Sequence, residues 1–300
     1  MTNALRNVFQ LSETCRSQGP RALAMTLLKQ TCVQHEYLRA RNFRRPSILS
    51  IFDRLAKIGQ TECAIPRHDD DIAQLAQEAK EEIAVELERL VADGRQWGGH
   101  DALPLKYRDA VNAIFEHCYY SQASLDMLIA SCSNEPTHPF LVKSCNLKAL
   151  TEHVAEDMRG LSIEKFGVCP EIVVSSRGER AGTEVAAIGP LLQFTCVEIM
   201  KNAVQSVIEK YGELEIDGLD EPPITVHCSR NEGAGDAEWV FIDNGLGLGG
   251  TRAGDNCFDA LFTTREAARE PNYTYSREFG VPFSGAGVGL FKCRVYLAMH

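Results

Sequence analysis

Glu198 and Asn202 are the two residues of this sequence whose types and spacing most clearly indicate chemistry. They lie in Leu191–Tyr211, where the spacing of apolar residues predicts a helix, and positions i and i+4 share one helix face. An Asn side-chain oxygen is a hard ligand that suits Mg²⁺, which takes the rest of its shell from water and phosphates. A Glu on the same face can accept a proton from a hydroxyl group or from water. The ordinary alternative is a Glu and an Asn on a solvated helix face.

Asp243, Gly245 and Gly247 follow a predicted strand and form a D-x-G-x-G turn. An Asp at a strand end can accept a hydrogen bond from an exocyclic amine such as that of adenine. Glycines let the chain turn beneath a flat base without a clash from Cβ. The same residues also fit a plain Asp-Asn-Gly turn, so this alternative stays open.

Two other nucleotide-binding motifs are not supported. Residues 245–250 match G-x-G-x-x-G, but a polar, turn-like stretch follows where a dinucleotide-binding unit needs a helix. The sequence contains no G-x-x-x-x-G-K-[ST] phosphate loop, which excludes P-loop chemistry.

A second glycine cluster contains Gly285, Gly287 and Gly289, directly before a helix predicted from Leu290. Its backbone N–H groups and the N-terminus of the helix favour a phosphate group. The polar stretch Thr263–Ser284 before it reads either as a mobile lid over a nucleotide or as an ordinary long loop. The acid, the amide and the two glycine clusters, taken in this order, predict an ATP site.

Composition excludes several other classes of protein. The chain has 300 residues, of which 44% are hydrophobic and 24% are charged, as in ordinary globular proteins. A net charge of −10 argues against a general nucleic-acid binder, and no apolar run reaches the roughly 20 residues that span a bilayer. The eleven cysteines are scattered and lack metal-site spacing, so we interpret them as reduced core residues.

The first half of the chain, residues 1–142, predicts an antiparallel helical bundle. Two long segments, Asp71–Val91 and Leu105–Ser131, carry apolar residues at helical spacing, with an expected loop from Asp93 to Pro104. The first 34 residues carry four basic residues and one acid, which fits either a mitochondrial transit peptide or an ordinary basic helix.

The second half, residues 143–300, predicts an α/β domain with helices on one face of an antiparallel or mixed sheet. Asn146 is the expected N-cap of a helix that runs to about Phe166. A strand is predicted at Glu171–Ser175, and a hairpin at Ile224–Cys228 and Glu238–Ile242.

These motifs resemble the three ATP-binding boxes of the GHKL superfamily of gyrases, heat-shock chaperones, histidine kinases and MutL. Within it, Glu198–Ala203 (EIMKNA) is similar to the E-L-L-K-N-A run of the mitochondrial kinases of pyruvate and branched-chain 2-oxoacid dehydrogenases. Phe262–Ala267 (FTTREA) resembles the start of the lid in the branched-chain member, and Phe115–Ile129 resembles the corresponding bundle helix. The likeness covers most of residues 80–290.

The resemblance implies a role for each matching residue. Glu198 would be the general base for a substrate serine, and Asn202 would ligate Mg²⁺. The positions implied to bind ATP are Asn202, Asp243, Gly245, Gly247, Thr264, Gly285, Gly287, Val288 and Gly289.

The resemblance also implies a fold, a location and partners. The expected architecture is α+β, with a helical bundle followed by a Bergerat-type ATP-binding domain cut short at its C-terminus. Family members are homodimers of the mitochondrial matrix that dock on lipoyl domains of the E2 component and phosphorylate E1.

Phe194 departs from the family pattern, because many members carry a His four residues before the Glu. The leading hypothesis is an ATP- and Mg²⁺-dependent protein-serine kinase acting on a 2-oxoacid dehydrogenase complex. The alternatives are an inactive ATP-binding regulatory module of the same family and a GHKL ATPase. Which dehydrogenase complex is the substrate stays open.

Overall fold

The computed structural model describes residues 69–96, 98–133, 138–140, 143–176, 183–212, 219, 222–230, 237–247, 256–263 and 287–300. These residues form a mixed α+β fold of helices and two small sheets. In chain order the elements are α1 (Asp69–Gln96), α2 (Gly99–Ala102), α3 (Leu105–Cys132), β1 (Lys143–Asn146), α4 (Leu147–Phe166), β2 (Ile172–Ser176), β3 (Glu184–Ala187), α5 (Gly189–Tyr211), β4 (Ile224–Arg230), β5 (Ala237–Asp243) and α6 (Gly289–Leu297).

The chain divides into two compact units. The first, the helical unit, contains α1, α2 and α3 together with residues 259–263 and 287–300. The second, the α/β unit, contains the described residues from Lys143 to Phe258. The chain thus leaves the helical unit after residue 142 and returns to it at Asp259.

The helical unit is built on the contact between α1 and α3. Helix α1 begins at Asp69. The helix passes through Gly94 to Gln96, and a short α2 follows, so the expected loop from Asp93 to Pro104 was wrong in part. A glycine at position 94 leaves room for the Leu261 side chain, because a Cβ there would clash with Leu261 Cδ1.

Helix α6 packs against α3 inside the helical unit. Phe291 is fully buried, and its ring lies 6.3 Å from the rings of both Phe115 and Tyr119. Lys292 Nζ lies 5.1 Å from the centre of the Tyr119 ring, a distance at which a cation and an aromatic face attract. The apolar face of α6 therefore belongs to the core of the helical unit.

The α/β unit has a three-stranded mixed sheet in the order β2-β4-β5. Strand β2 is parallel to β4, and β4 and β5 form the predicted antiparallel hairpin, with Ile224 opposite Asp243. Helices α4 and α5 bury an apolar core together with this sheet, including Met158, Met200 and Val226. All three of these side chains are 1% exposed or less, which marks the centre of this core.

A second, two-stranded sheet pairs β1 with β3 and leads into α4. Asn146 caps α4 as predicted, because its side-chain oxygen accepts the Ala149 backbone N–H at 2.9 Å. Glu184 on β3 accepts hydrogen bonds from Ser144 and Asn146, and these bonds lower the pKa of its carboxyl group. The sequence analysis did not predict either strand.

His117 on α3 gives the helical unit a testable dependence on pH. Its side chain is 6% exposed, and burial lowers its pKa from 6.5 to about 4. The imidazole is therefore neutral in the folded state, whereas in the unfolded chain it binds a proton below pH 6.5. The contribution of His117 to the free energy of unfolding is thus complete above pH 6.5 and is lost as the pH falls towards 4. Between pH 7 and 4.5 we expect a loss of about 2–3 kcal/mol from this residue. Urea unfolding at the two pH values should show a correspondingly smaller loss for His117→Gln, and an identical loss in both proteins would contradict the assignment.

Among the described residues, no helix combines the length and the apolar character needed to cross a membrane.

Candidate functional site

Helix α5 positions the two chemically distinctive side chains of the α/β unit. Its apolar residues, such as Met200 and Val204, face the core of the unit. Glu198 and Asn202 lie on the other side, one turn apart. Glu198 is only 7% exposed, so the alternative of a solvated helix face does not hold for it.

Glu198 forms a buried ion pair that the sequence analysis missed. Lys201 Nζ donates to Glu198 Oε1 at 2.6 Å, and the Lys201 side chain is 3% exposed. The ammonium group compensates the charge of a carboxylate that water reaches poorly. The spacing i and i+3 on one helix was the signal that could have identified the pair.

The Asn202 side chain is half-buried on the same face. No hydrogen bond joins its amide to another residue in the part of the chain that the structure describes. Its carbonyl oxygen is thus available as a ligand, and its chemistry fits a hard cation such as Mg²⁺. The described residues contain no cluster of three His, Cys, Asp or Glu side chains that could hold a metal ion by themselves.

The same face of α5 fastens the turn that carries Asp243. Ser206, one turn beyond Asn202, accepts the Leu246 backbone N–H at 2.9 Å. Lys210, one turn further, donates to the Asn244 carbonyl oxygen at 2.6 Å. Positions 198, 202, 206 and 210 thus form one stripe, and its second half holds residues 243–247 against the helix.

Within the turn, the Asp243 side chain is exposed and its Oδ1 accepts the Gly245 backbone N–H at 3.0 Å. The two glycines are there for different reasons. A Cβ on Gly245 would lie 2.6 Å from the Ser206 Cβ and 2.8 Å from Asp243 Oδ1. Gly247 adopts φ +69°, a left-handed conformation that disfavours other residues.

The close approach of Gly245 to Ser206 gives a specific prediction for Gly245→Ala. The added methyl group must push the turn away from α5, at a cost of about 1–3 kcal/mol. Gly160→Ala is the matched control, because Gly160 is an exposed residue inside α4 with open space around it. The control should be stabilising by about 0.8–1 kcal/mol. Urea unfolding measures both, and equal effects in the same direction would rule out the proposed contact.

The structure divides the predicted ATP-binding positions between the two units. Glu198, Asn202 and the Asp243 turn belong to the α/β unit. Gly287, Val288 and Gly289 belong to the helical unit, where they lead into α6. Thr264 and Gly285 lie outside the described residues, as does most of the predicted lid.

A comparison of the sequence with protein-family models and with curated proteins found no match.

Proposed function

We propose that this protein is an ATP- and Mg²⁺-dependent protein-serine kinase acting on the E1 component of a mitochondrial 2-oxoacid dehydrogenase complex. One observation carries the proposal. A single helix face presents a buried, charge-compensated carboxylate and an amide, and it holds the D-x-G-x-G turn through Ser206 and Lys210. The motifs show only the order of these groups along the chain. The hydrogen bonds of Ser206 and Lys210 connect the turn to the helix that carries the carboxylate and the amide.

Glu198 is the proposed general base. Its Oε1 is held by Lys201, which fixes the orientation of the carboxylate on the helix. A carboxylate so placed can accept the proton that a serine hydroxyl loses as its oxygen bonds to the γ-phosphorus, while the bond from that phosphorus to the bridging oxygen breaks and ADP leaves. Transfer of a phosphoryl group otherwise depends mainly on positioning and on neutralising charge.

Asn202 and Asp243 are the proposed binding groups. The Asn202 carbonyl oxygen would hold Mg²⁺, which when bound neutralises charge on the phosphates. The Asp243 carboxylate, presented at the end of β5, would accept a hydrogen bond from the adenine amine. Gly285, Gly287, Val288 and Gly289 are the proposed phosphate-binding positions, from the sequence pattern.

The finer fold is part of the same proposal. We infer a GHKL-type fold in which the α/β unit supplies a Bergerat-type ATP-binding domain and the helical unit supplies a helical bundle that also includes α6. The packing of α4 and α5 on one face of the β2-β4-β5 sheet supports it. The family resemblance adds a mitochondrial matrix location, a homodimer and docking on the lipoyl domain of E2.

One experiment tests the proposed activity against its alternatives. The full chain is incubated with γ-labelled ATP, Mg²⁺ and isolated E1, and label on E1 serine is measured beside released phosphate and bound ATP. Serine label on E1 supports the kinase. Binding of ATP without transfer would replace it with a regulatory module, and free phosphate without labelled E1 would replace it with an ATPase.

A further inference from the structure

Asp259 marks the point where the chain returns to the helical unit, and two side chains hold it there. Asn112 Nδ2 on α3 donates to Asp259 Oδ1 at 2.7 Å, and His100 Nε2 on α2 lies 3.1 Å from Asp259 Oδ2. Asn112 also accepts the Ala260 backbone N–H through its Oδ1 at 2.8 Å. We call these three residues, His100, Asn112 and Asp259, the Asp259 clamp. It fixes both a side chain and the backbone that follows it.

The residues directly after the clamp adopt a constrained conformation. Leu261 has φ +68°, a left-handed conformation that costs free energy for a residue with a Cβ. Its buried side chain fills the space left by Gly94 in α1, and the Phe262 ring meets the His100 ring edge-on at 5.4 Å. Strain of this kind persists only where the surroundings hold the backbone in place, and Asp259 of the clamp lies two residues before Leu261.

Gly287 rests directly on this constrained backbone. A Cβ at Gly287 would lie 2.8 Å from the Phe262 carbonyl oxygen and 2.9 Å from the Leu261 carbonyl carbon. Gly287 itself has φ +75°, and α6 begins two residues later at Gly289. A left-handed residue before a helix start turns successive backbone N–H groups towards one side, which makes a concavity suited to an anion.

We propose that Asp259 is a positioning residue for the phosphate-binding backbone of Gly287–Gly289. Held by His100 and Asn112, it fixes Leu261 and Phe262, and these fix Gly287. The inference rests on the proposed function for the ligand, a nucleotide phosphate. The clamp itself consists of contacts inside the helical unit.

The test is a charge exchange between positions 112 and 259. Asn112→Asp places a carboxylate against Asp259, so the two repel and the clamp opens. We expect faster amide hydrogen exchange in residues 287–297 and a KM for ATP raised about tenfold, with a much smaller change in kcat. Adding Asp259→Asn restores the bonds in reverse, because the new amide at 259 donates to the new carboxylate at 112 and still accepts from His100. The double variant has the net charge of the wild type and should recover both the exchange protection and the KM.

The outcomes separate this inference from the proposed function. Unchanged exchange in Asn112→Asp overturns the clamp whether or not the protein is a kinase. Faster exchange with an unchanged KM overturns the positioning role. A wild-type protein that does not turn over ATP overturns the proposed function, and the exchange measurement then still decides whether the clamp holds Gly287.

Discussion

Glu198→Gln is expected to lower kcat for transfer to E1 serine by about 10²–10⁴-fold, the range that a general base contributes. Glutamine keeps the shape of the side chain and can still accept from Lys201, but it cannot take a proton from the serine. Because Glu198 is not the proposed nucleotide-binding group, the KM for ATP should change by less than about threefold.

The matched control for this substitution is Glu209→Gln. Glu209 lies on the same helix, is exposed, and accepts a hydrogen bond from Gln205. It should leave kcat unchanged. A double variant, Glu198→Gln with Lys201→Met, removes both charges of the pair. Because it leaves no unpaired buried charge, it shows whether activity is lost for a reason other than misfolding. It should be folded by circular dichroism and as inactive as the single variant, and a kcat near the wild-type value in either protein would exclude Glu198 as the base.

Lys201→Met is expected to give the largest loss of stability, about 3–5 kcal/mol in urea unfolding. The substitution leaves the Glu198 carboxylate buried without its cation, and both side chains are at least nine-tenths buried. Adding Glu198→Gln to Lys201→Met should recover most of the lost free energy of unfolding, because no unpaired charge then remains at this pair.

Lys148→Met provides the comparison for a surface pair. Lys148 Nζ lies 3.5 Å from Glu152 on α4, and both side chains are exposed. The Lys148→Met substitution should lower the free energy of unfolding by at most about 1 kcal/mol. Similar values for the two lysines would mean that the Glu198–Lys201 pair is solvated in solution and that Lys201 does not fix the carboxylate.

The sequence predicted the elements whose signals are local. The apolar spacing in α1, α3 and α5 identified these helices, the Asn146 cap located the start of α4, and the turn-rich break between β4 and β5 identified the hairpin. The Glu198–Asn202 stripe was also accessible, because i and i+4 spacing needs only a helix.

The remaining features depend on residues that are distant in the sequence. Strands β1 and β3 have four residues each, too short for an alternating pattern to stand out, and they are defined by pairing with one another. The placement of Asp259 in the helical unit depends on Asn112, which lies 147 residues earlier. No local pattern around Asp259 encodes that partner.

The return of the chain to the helical unit has a consequence for how this protein can be cut. Sequence order suggests that residues 143–300 would make a self-contained fragment. Such a fragment would carry α6 without α3, leaving Phe291 and Cys293, now 1% exposed or less, facing water. The helical unit, in turn, would lose a core helix. The segment from Lys143 to Phe258 therefore lies, in sequence, between two segments of the helical unit, and a fragment that keeps the core of the helical unit must include α6.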